Sequence, residues 1–292
     1  MVGDDASGQD FRTGVERLRV PGMGTEVVAP LLANLVHLVR PRRVLEVGMG
    51  YTTPFLARAL AEVESLVSAE AKALVDKSLP YLRTGRELDE AWLGSDPALL
   101  VPTYYRSPYR PLFVAVDDLS MEDSSAGRVR TVLCELGLDQ RVTVVNAALR
   151  DCVDRLPADL IPIDFAWVDA WDCLYFFEHF WDLINPDGGI VAMHYLMTYP
   201  EGEAILRYIA ETQRLRPGEF EVLSLLESHK LRQNSITVLR RTSGVLERRY
   251  SDVGLRARLG GGFRDDAVAL ADPTAREATV EEPGPGAPPG AG

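Results

Sequence analysis

Apolar residues along this chain fall into two spacings, and their alternation predicts the order of its elements. From Thr25 to Arg40, Val28, Leu31, Leu32, Leu35 and Val39 recur three or four apart, the spacing of one helix face, and Pro41 closes the run. Val44 to Gly48 then reads as a strand. A helix follows from about Thr53 to Glu64, with Pro54 in its first turn where a missing N–H costs nothing. Between 65 and 111 the pattern gives way to polar helix-like segments and loops carrying Tyr81, Trp92, Tyr104, Tyr105 and Tyr109, read as an inserted lid. Strands resume at Leu112 to Asp117, Arg141 to Asn146, Ile163 to Asp169 and Ile190 to Met193, with helices near Ser125 to Leu136 and Cys173 to Leu183. A helix near Glu201 to Thr212 precedes two further apolar runs, Phe220 to Leu226 and Ser235 to Arg240, which bring the strands to seven. Strands alternating with helices imply parallel βαβ units. The expected fold is therefore α/β, a seven-stranded doubly wound sheet with helices on both faces and a helical and loop lid before the second strand. One domain is expected to span 25–243, after a mobile segment 1–24 and before an extension 244–292. The end of that extension, Pro283 to Gly292, holds only Pro, Gly and Ala and is expected to be disordered.

A doubly wound sheet binds its ligand beyond the carboxyl ends of its strands, which places Glu46, Asp117, Asn146, Asp169 and His194 at the candidate site. The run Val44-Leu45-Glu46-Val47-Gly48-Met49-Gly50-Tyr51-Thr52 is a strand entering a glycine turn and a helix. Gly48 and Gly50 let backbone approach a ligand where a Cβ would collide, and the N–H groups of the new helix face that ligand. A dinucleotide fingerprint would need Gly or Ala at the sixth position, where this chain has Thr53. Glu46 would repel a diphosphate, yet it suits a ligand carrying an ammonium and a sulfonium. Asp117 can accept both hydroxyls of a ribose; the alternative is a helix N-cap. Glu70, at the end of Leu66 to Ala69, is a rival nearer the roughly 20-residue separation of dinucleotide folds. Asp117 is preferred because a helix and the strand Arg141 to Asn146 follow it in order.

The 292 residues, 46% of them hydrophobic, suffice for one large core. Of the net charge of −12, six acids and one arginine lie within 265–292, so the body carries about −7. That sign repels phosphate backbones, excludes nucleic acid as the expected partner and favours a small molecule. Cys134, Cys152 and Cys173 are too scattered for a disulfide framework or a zinc site. Residues 1 to 14 lack a signal pattern, and no apolar run approaches the roughly 18 residues that cross a membrane. A cytoplasmic protein with reduced thiols and no membrane partner is expected. Arg248, Arg249, Arg256 and Arg258 could form a subunit contact, as in a homodimer, or a solvated basic face.

Three segments resemble the class I methyltransferases, Rossmann-like enzymes that use S-adenosylmethionine and release S-adenosylhomocysteine, and within them the catechol-type O-methyltransferase branch. They are the glycine turn, Val142 to Asp151, and Ile163 to Asp172. The resemblance implies that Glu46, Gly48, Gly50, Thr52, Asp117, Asn146 and Asp169 hold the cofactor. It also implies that Ala147, Ala148 and Leu149 border its adenine and that Trp171 stacks on or flanks it, unless Trp171 is simply a buried core residue.

Departures from that branch define the expected chemistry. Catechol-type enzymes hold magnesium with an Asp after strand four and an Asp-Asn pair after strand five, oxygen ligands that suit a hard cation. Here strand five ends Met193-His194-Tyr195, and only Asp169 remains of the set. Transfer without a metal is expected, and Asp172 stands where that branch has a Lys. The proton acceptor is expected to be His194, which could instead be a hydrogen-bonded core residue, with Tyr195 and Tyr51 orienting the acceptor or facing the sulfonium. The His-Tyr pair and the missing metal set are also similar to bacterial indole C3-methyltransferases. That likeness implies C-methylation of an indole with ring closure in secondary metabolism. The alternatives are O- or N-methylation of a phenol or amine, and a methyltransferase-fold cyclase or binding module without transfer.

Overall fold

The computed structural model describes residues 6–86, 88–122, 124–170, 172–229, 234–242 and 261–271. Trp171, the four arginines from Arg248 to Arg258 and the tail from Pro283 lie outside them. The chain divides into two compact units, Met1–Val63 with Arg110–Arg248, and Glu64–Tyr109 with Arg249–Gly292.

The first unit is built on one sheet of seven strands: β1 (Arg43–Val47), β2 (Leu112–Asp117), β3 (Thr143–Asn146), β4 (Phe165–Val168), β5 (Ile190–His194), β6 (Phe220–Leu226) and β7 (Ser235–Arg241). Their spatial order is β3-β2-β1-β4-β5-β7-β6, parallel except that β7 runs antiparallel to both of its neighbours. The strands therefore progress outward in both directions from the β1–β4 boundary. At that switch point the flanking connections leave on opposite faces and open a crevice. Leu45, Val47, Val114, Ala166, Val168 and Val191 are all buried, the near-continuous apolar composition of strands covered on both faces.

The described α-helices are α1 (Ala6–Glu16), α2 (Thr25–Val39), α3 (Thr52–Arg83), α4 (Glu90–Gly94), α5 (Pro102–Tyr105), α6 (Ala126–Glu135), α7 (Cys173–Phe180), α8 (Pro200–Leu215) and α9 (Gly261–Ala271). Where a mobile start was expected, α1 buries Phe11 and Val15, sets the Phe11 ring 5.0 Å from that of Phe55 and pairs Arg17 with Glu135. Each such apolar ring removed from water contributes about 1.5–3 kcal/mol, enough to order a short polar helix. α3 runs for 32 residues where a stop near Glu64 was expected, because buried Val63, Val67 and Leu74 extend its apolar stripe. Glu70 consequently sits inside a helix and accepts a 2.9 Å hydrogen bond from Tyr105 Oη, which removes it from any strand end.

The second unit contains the later turns of α3 together with α4, α5 and α9. Asp89 caps α4 through the Trp92 N–H at 2.9 Å, and the Trp92 indole is buried beneath the Lys77 ammonium. Asp266 of α9 accepts hydrogen bonds from Thr103 and Arg106. No described helix is long and apolar enough to cross a membrane.

Candidate functional site

The turn after β1 is held from both sides. Gly48 N–H donates to Val116 O of β2 at 2.9 Å, and Asp169 N–H donates to Val47 O at 2.9 Å, so three strand ends meet at this turn. Gly48 has φ +91°, and a Cβ there would lie 2.6 Å from the Asp169 carbonyl oxygen. Its glycine is dictated by the packing of β1 on the β4 end. A Cβ on Gly50, by contrast, would enter open space. That space is a cleft of about 470 Å³, within the range of small-molecule sites, walled by Gly48 to Tyr51, Asp117, Ala147 to Leu149 and Asp169.

Asp117 anchors the turn as well as facing the cleft. Its Oδ2 accepts from Met49 N–H at 2.8 Å and its Oδ1 from Ser124 Oγ at 2.7 Å. A carboxylate has about four acceptor directions, so each oxygen retains one for a ligand hydroxyl. The wall also includes Asp118, Asp169 and Asp172, and among the described residues lining it there is no Lys or Arg. Arg150 lies outside that lining and pairs with Asp172 at 2.9 Å.

Glu46 and Thr52 belong behind this wall. Glu46 is completely buried, accepts a 2.6 Å hydrogen bond from Thr52 Oγ1 through Oε1, and leaves Oε2 without a partner. Burial pushes its carboxyl up to about 8; the Thr52 and Thr53 hydroxyls oppose this, and the charges of Asp169 and Asp117 add to it. Asn146 also stays off the wall and ties loops together, its Oδ1 accepting from Leu119 N–H at 3.1 Å and its carbonyl from Arg155 at 2.9 Å. Ala147 and Ala148 do line the cleft, as does Tyr51, whose hydroxyl is pushed upward by burial and by Glu16 and Glu26.

Beyond Asp169 a second, smaller cavity of about 160 Å³ opens between the end of β5 and the start of α8. His194 and Tyr195 line it, their rings stacked with centroids 3.4 Å apart. Tyr195 adopts φ +63°, an uncommon conformation for a bulky residue, and its hydroxyl donates to Met23 O. His194 is buried, with Nδ1 2.8 Å from Asp169 Oδ1 and Nε2 2.5 Å from Asn234 Oδ1. Asn234 in turn donates from Nδ2 to the Gly24 carbonyl at 3.0 Å, which orients its amide so that oxygen, not nitrogen, meets the imidazole. Both ring nitrogens are therefore engaged, and no imidazole lone pair is directed into either cavity. Asp169 is the member of this pair that borders both cavities.

The sequence reading missed the N-terminal wall of Leu18, Val20, Met23 and Thr25, and also Asn234, Tyr199 and Glu201. Leu18, Val20 and Met23 sit in a segment whose pattern is too short to mark, Thr25 reads only as a helix start, and Asn234 is a lone polar residue ahead of β7. Cys173 borders the smaller cavity, but burial pushes its thiol up to about 12, which keeps it out of nucleophilic chemistry. Among the described residues no group of three or more His, Cys, Asp or Glu is placed to hold a metal ion.

No protein-family model and no curated protein matches this sequence. Among solved structures the chain is similar to the O-methyltransferase TomG from Streptomyces achromogenes, involved in tomaymycin synthesis and crystallised with S-adenosylmethionine. The two share 19% identity over 83% of this chain and 92% of that one, with a TM-score of 0.53. It is also similar to an O-methyltransferase from Bacillus cereus in complex with S-adenosylhomocysteine, at 16% identity, 83% and 93% coverage and a TM-score of 0.51. At these identities the common property is the fold, a seven-stranded Rossmann-like sheet of the class I methyltransferase kind, as the sequence resemblance implied.

Proposed function

We propose that this protein is an S-adenosylmethionine-dependent methyltransferase acting on the oxygen of a small aromatic acceptor. The observation that carries this is the cleft at the β1–β4 switch point, which combines an open glycine turn with aspartates and no described Lys or Arg. Such a lining disfavours a diphosphate and suits a ligand bearing a sulfonium and an ammonium, with Asp117 placed for a ribose diol. The orphaned Oε2 of buried Glu46 leaves a further unpaired hydrogen-bonding position behind the turn.

When bound, the cofactor supplies an electrophilic methyl group. The protein's own part is positioning and proton removal. The smaller cavity receives the acceptor, and the Asp169 oxygen not engaged by His194 takes the phenolic proton. His194 then acts as a positioning residue, fixing Asp169 through Nδ1 while Asn234 and the Gly24 carbonyl fix His194. A carboxylate whose neighbouring imidazole is committed to hydrogen bonds on both sides is a poor cage for a hard cation, so transfer proceeds without magnesium. A cavity of about 160 Å³ is close to the roughly 150 Å³ that accommodates one benzene ring, which favours a monocyclic phenol over an indole fused to further rings.

Calorimetric titration with S-adenosylhomocysteine, followed by turnover of S-adenosylmethionine against phenols and indoles with and without EDTA, tests this. Binding, release of S-adenosylhomocysteine, an O-methyl carbon resonance in the product and indifference to EDTA are expected. Absence of cofactor binding would overturn the reading.

A further inference from the structure

We infer that the acceptor cavity selects a single-ring phenol carrying a protonated amine, and that Glu201 is the residue that reads its charge. This rests on the transfer reading above and names its substrate class.

Three rings, of His194, Tyr195 and Tyr199, line the cavity beside the aliphatic Met23, Leu196 and Ile205. The rings of His194 and Tyr195 are stacked, and that of Tyr199 meets Tyr195 nearly edge-on with centroids 5.7 Å apart. Carboxylates provide the charge, from Asp169 on the sheet side and Glu201 on the helix side, and no Lys or Arg occurs among the described residues that line the cavity. Aromatic faces combined with carboxylates are the ordinary recognition chemistry of an ammonium group. An acceptor bearing a carboxylate in place of the amine would meet like charge at Glu201.

The two acids are not equivalent. Asp169 is already engaged by the His194 ring at 2.8 Å. Glu201 sits in the first turn of α8, exposed at the cavity rim, with no hydrogen bond or ion pair to a described residue, whereas its neighbour Glu203 is taken by Arg207 at 2.7 Å. Its position is fixed by Gly202, where a Cβ would lie 2.0 Å from the Leu196 carbonyl oxygen, so that the helix start presses directly against the loop after β5. Glu201 therefore presents an uncommitted carboxylate from a backbone that close packing holds in place. A purely structural role, complementing the helix dipole, would act on stability and leave ligand ranking untouched.

Tyramine, 4-methylphenol and 4-hydroxyphenylacetate share one phenol ring and differ in charge. Titrated calorimetrically at pH 7 into the full-length protein saturated with S-adenosylhomocysteine, tyramine should bind about tenfold more tightly than 4-methylphenol, with the acid weakest. Glu201→Gln should weaken tyramine by about threefold while leaving 4-methylphenol and S-adenosylhomocysteine unchanged. Equal affinities, a preference for the acid, or a parallel loss for all three phenols in the variant would overturn the inference. Failure of the methyl-donor reading shows separately, as absence of heat with S-adenosylhomocysteine, and the phenol ranking repeated on the protein alone still reports the charge preference of the cavity.

Discussion

At the scale of single residues, the chemistry concentrates where two carboxylates are treated in opposite ways. Asp169 borders both cavities with an imidazole fixing one oxygen, while Glu46 is sealed beneath the turn with one oxygen unpartnered. Asp169→Asn keeps the shape and removes the proposed proton acceptor, so kcat should fall by about a hundredfold or more, well beyond any loss of S-adenosylhomocysteine affinity measured by calorimetry. Asn234→Ala removes only the support of His194. A smaller loss in kcat with a displaced pH profile is expected, and an unaltered profile would deny it the positioning role. Glu46 carries a stability signature. Its folded-state value of about 8 lies above the unfolded carboxyl, so the folded protein binds the extra proton and stability declines as pH rises from about 4.5 through 8. Glu46→Gln should thus match the parent in thermal denaturation near pH 5 and gain on it by several degrees near pH 8.5, a difference on the order of a few kcal/mol; parallel curves at both pH values would refute this. Asp169, His194 and Glu46 stood out in the sequence because each ends or nearly ends a parallel strand. Their division of labour did not, since burial of Glu46 and the Asn234 contact depend on partners up to 210 residues away.

Among the elements, the glycine turn shows how one motif serves two masters. Gly48 is required by backbone, with positive φ and the Asp169 carbonyl 2.6 Å from any added Cβ, whereas Gly50 faces open space. Gly48→Ala should therefore destabilise the fold by about 2–4 kcal/mol in denaturant unfolding, through strain and a backbone clash. Gly50→Ala should leave unfolding unchanged and weaken S-adenosylhomocysteine, because its methyl occupies ligand space. If Gly50→Ala bound as well as the parent, the open space beside it would not be the ligand site. The motif was readable as a turn with an adjacent ligand, but sequence spacing gave no means of assigning one glycine to the fold and the other to the cleft. Strand periodicity behaved similarly. It located all seven strands within a few residues, yet it left Leu66 to Glu70 open as a rival strand end beside the preferred Asp117, since a short apolar run inside a long amphipathic helix has no distinguishing mark. The C-terminal helix Gly261–Ala271 escaped notice because its partners Thr103 and Arg106 lie some 160 residues earlier.

For the molecule as a whole, the decisive property is the sign of its charge and where that charge is placed. Net −12 could have been a diffuse surface effect or a consequence of the acidic end, and composition alone does not distinguish them. The fold turns it into a local field by gathering Asp117, Asp118 and Asp169 at the carboxyl ends of β2 and β4, the parallel strands on either side of β1, while Arg150 offsets Asp172 from outside the described lining of the cleft. Two unit charges about 4 Å apart interact by roughly 4 kcal/mol in the partly screened environment near a protein surface, and ions weaken that once the Debye length falls from about 30 Å at 0.01 M to about 3 Å at 1 M. S-adenosylmethionine differs from its demethylated product by one positive charge, so the cleft should discriminate between the two by an amount that salt erodes. The ratio of their affinities, measured by calorimetry at low, intermediate and high ionic strength, should shift steadily against S-adenosylmethionine as salt rises, with the product's own affinity changing less. On the proposed reading this same discrimination would favour release of the product, because loss of the methyl group would also be loss of the charge that the aspartates face. A ratio independent of ionic strength would mean that the cleft recognises the ligand by shape and hydrogen bonds alone, and the electrostatic argument for a sulfonium over a diphosphate would fail with it.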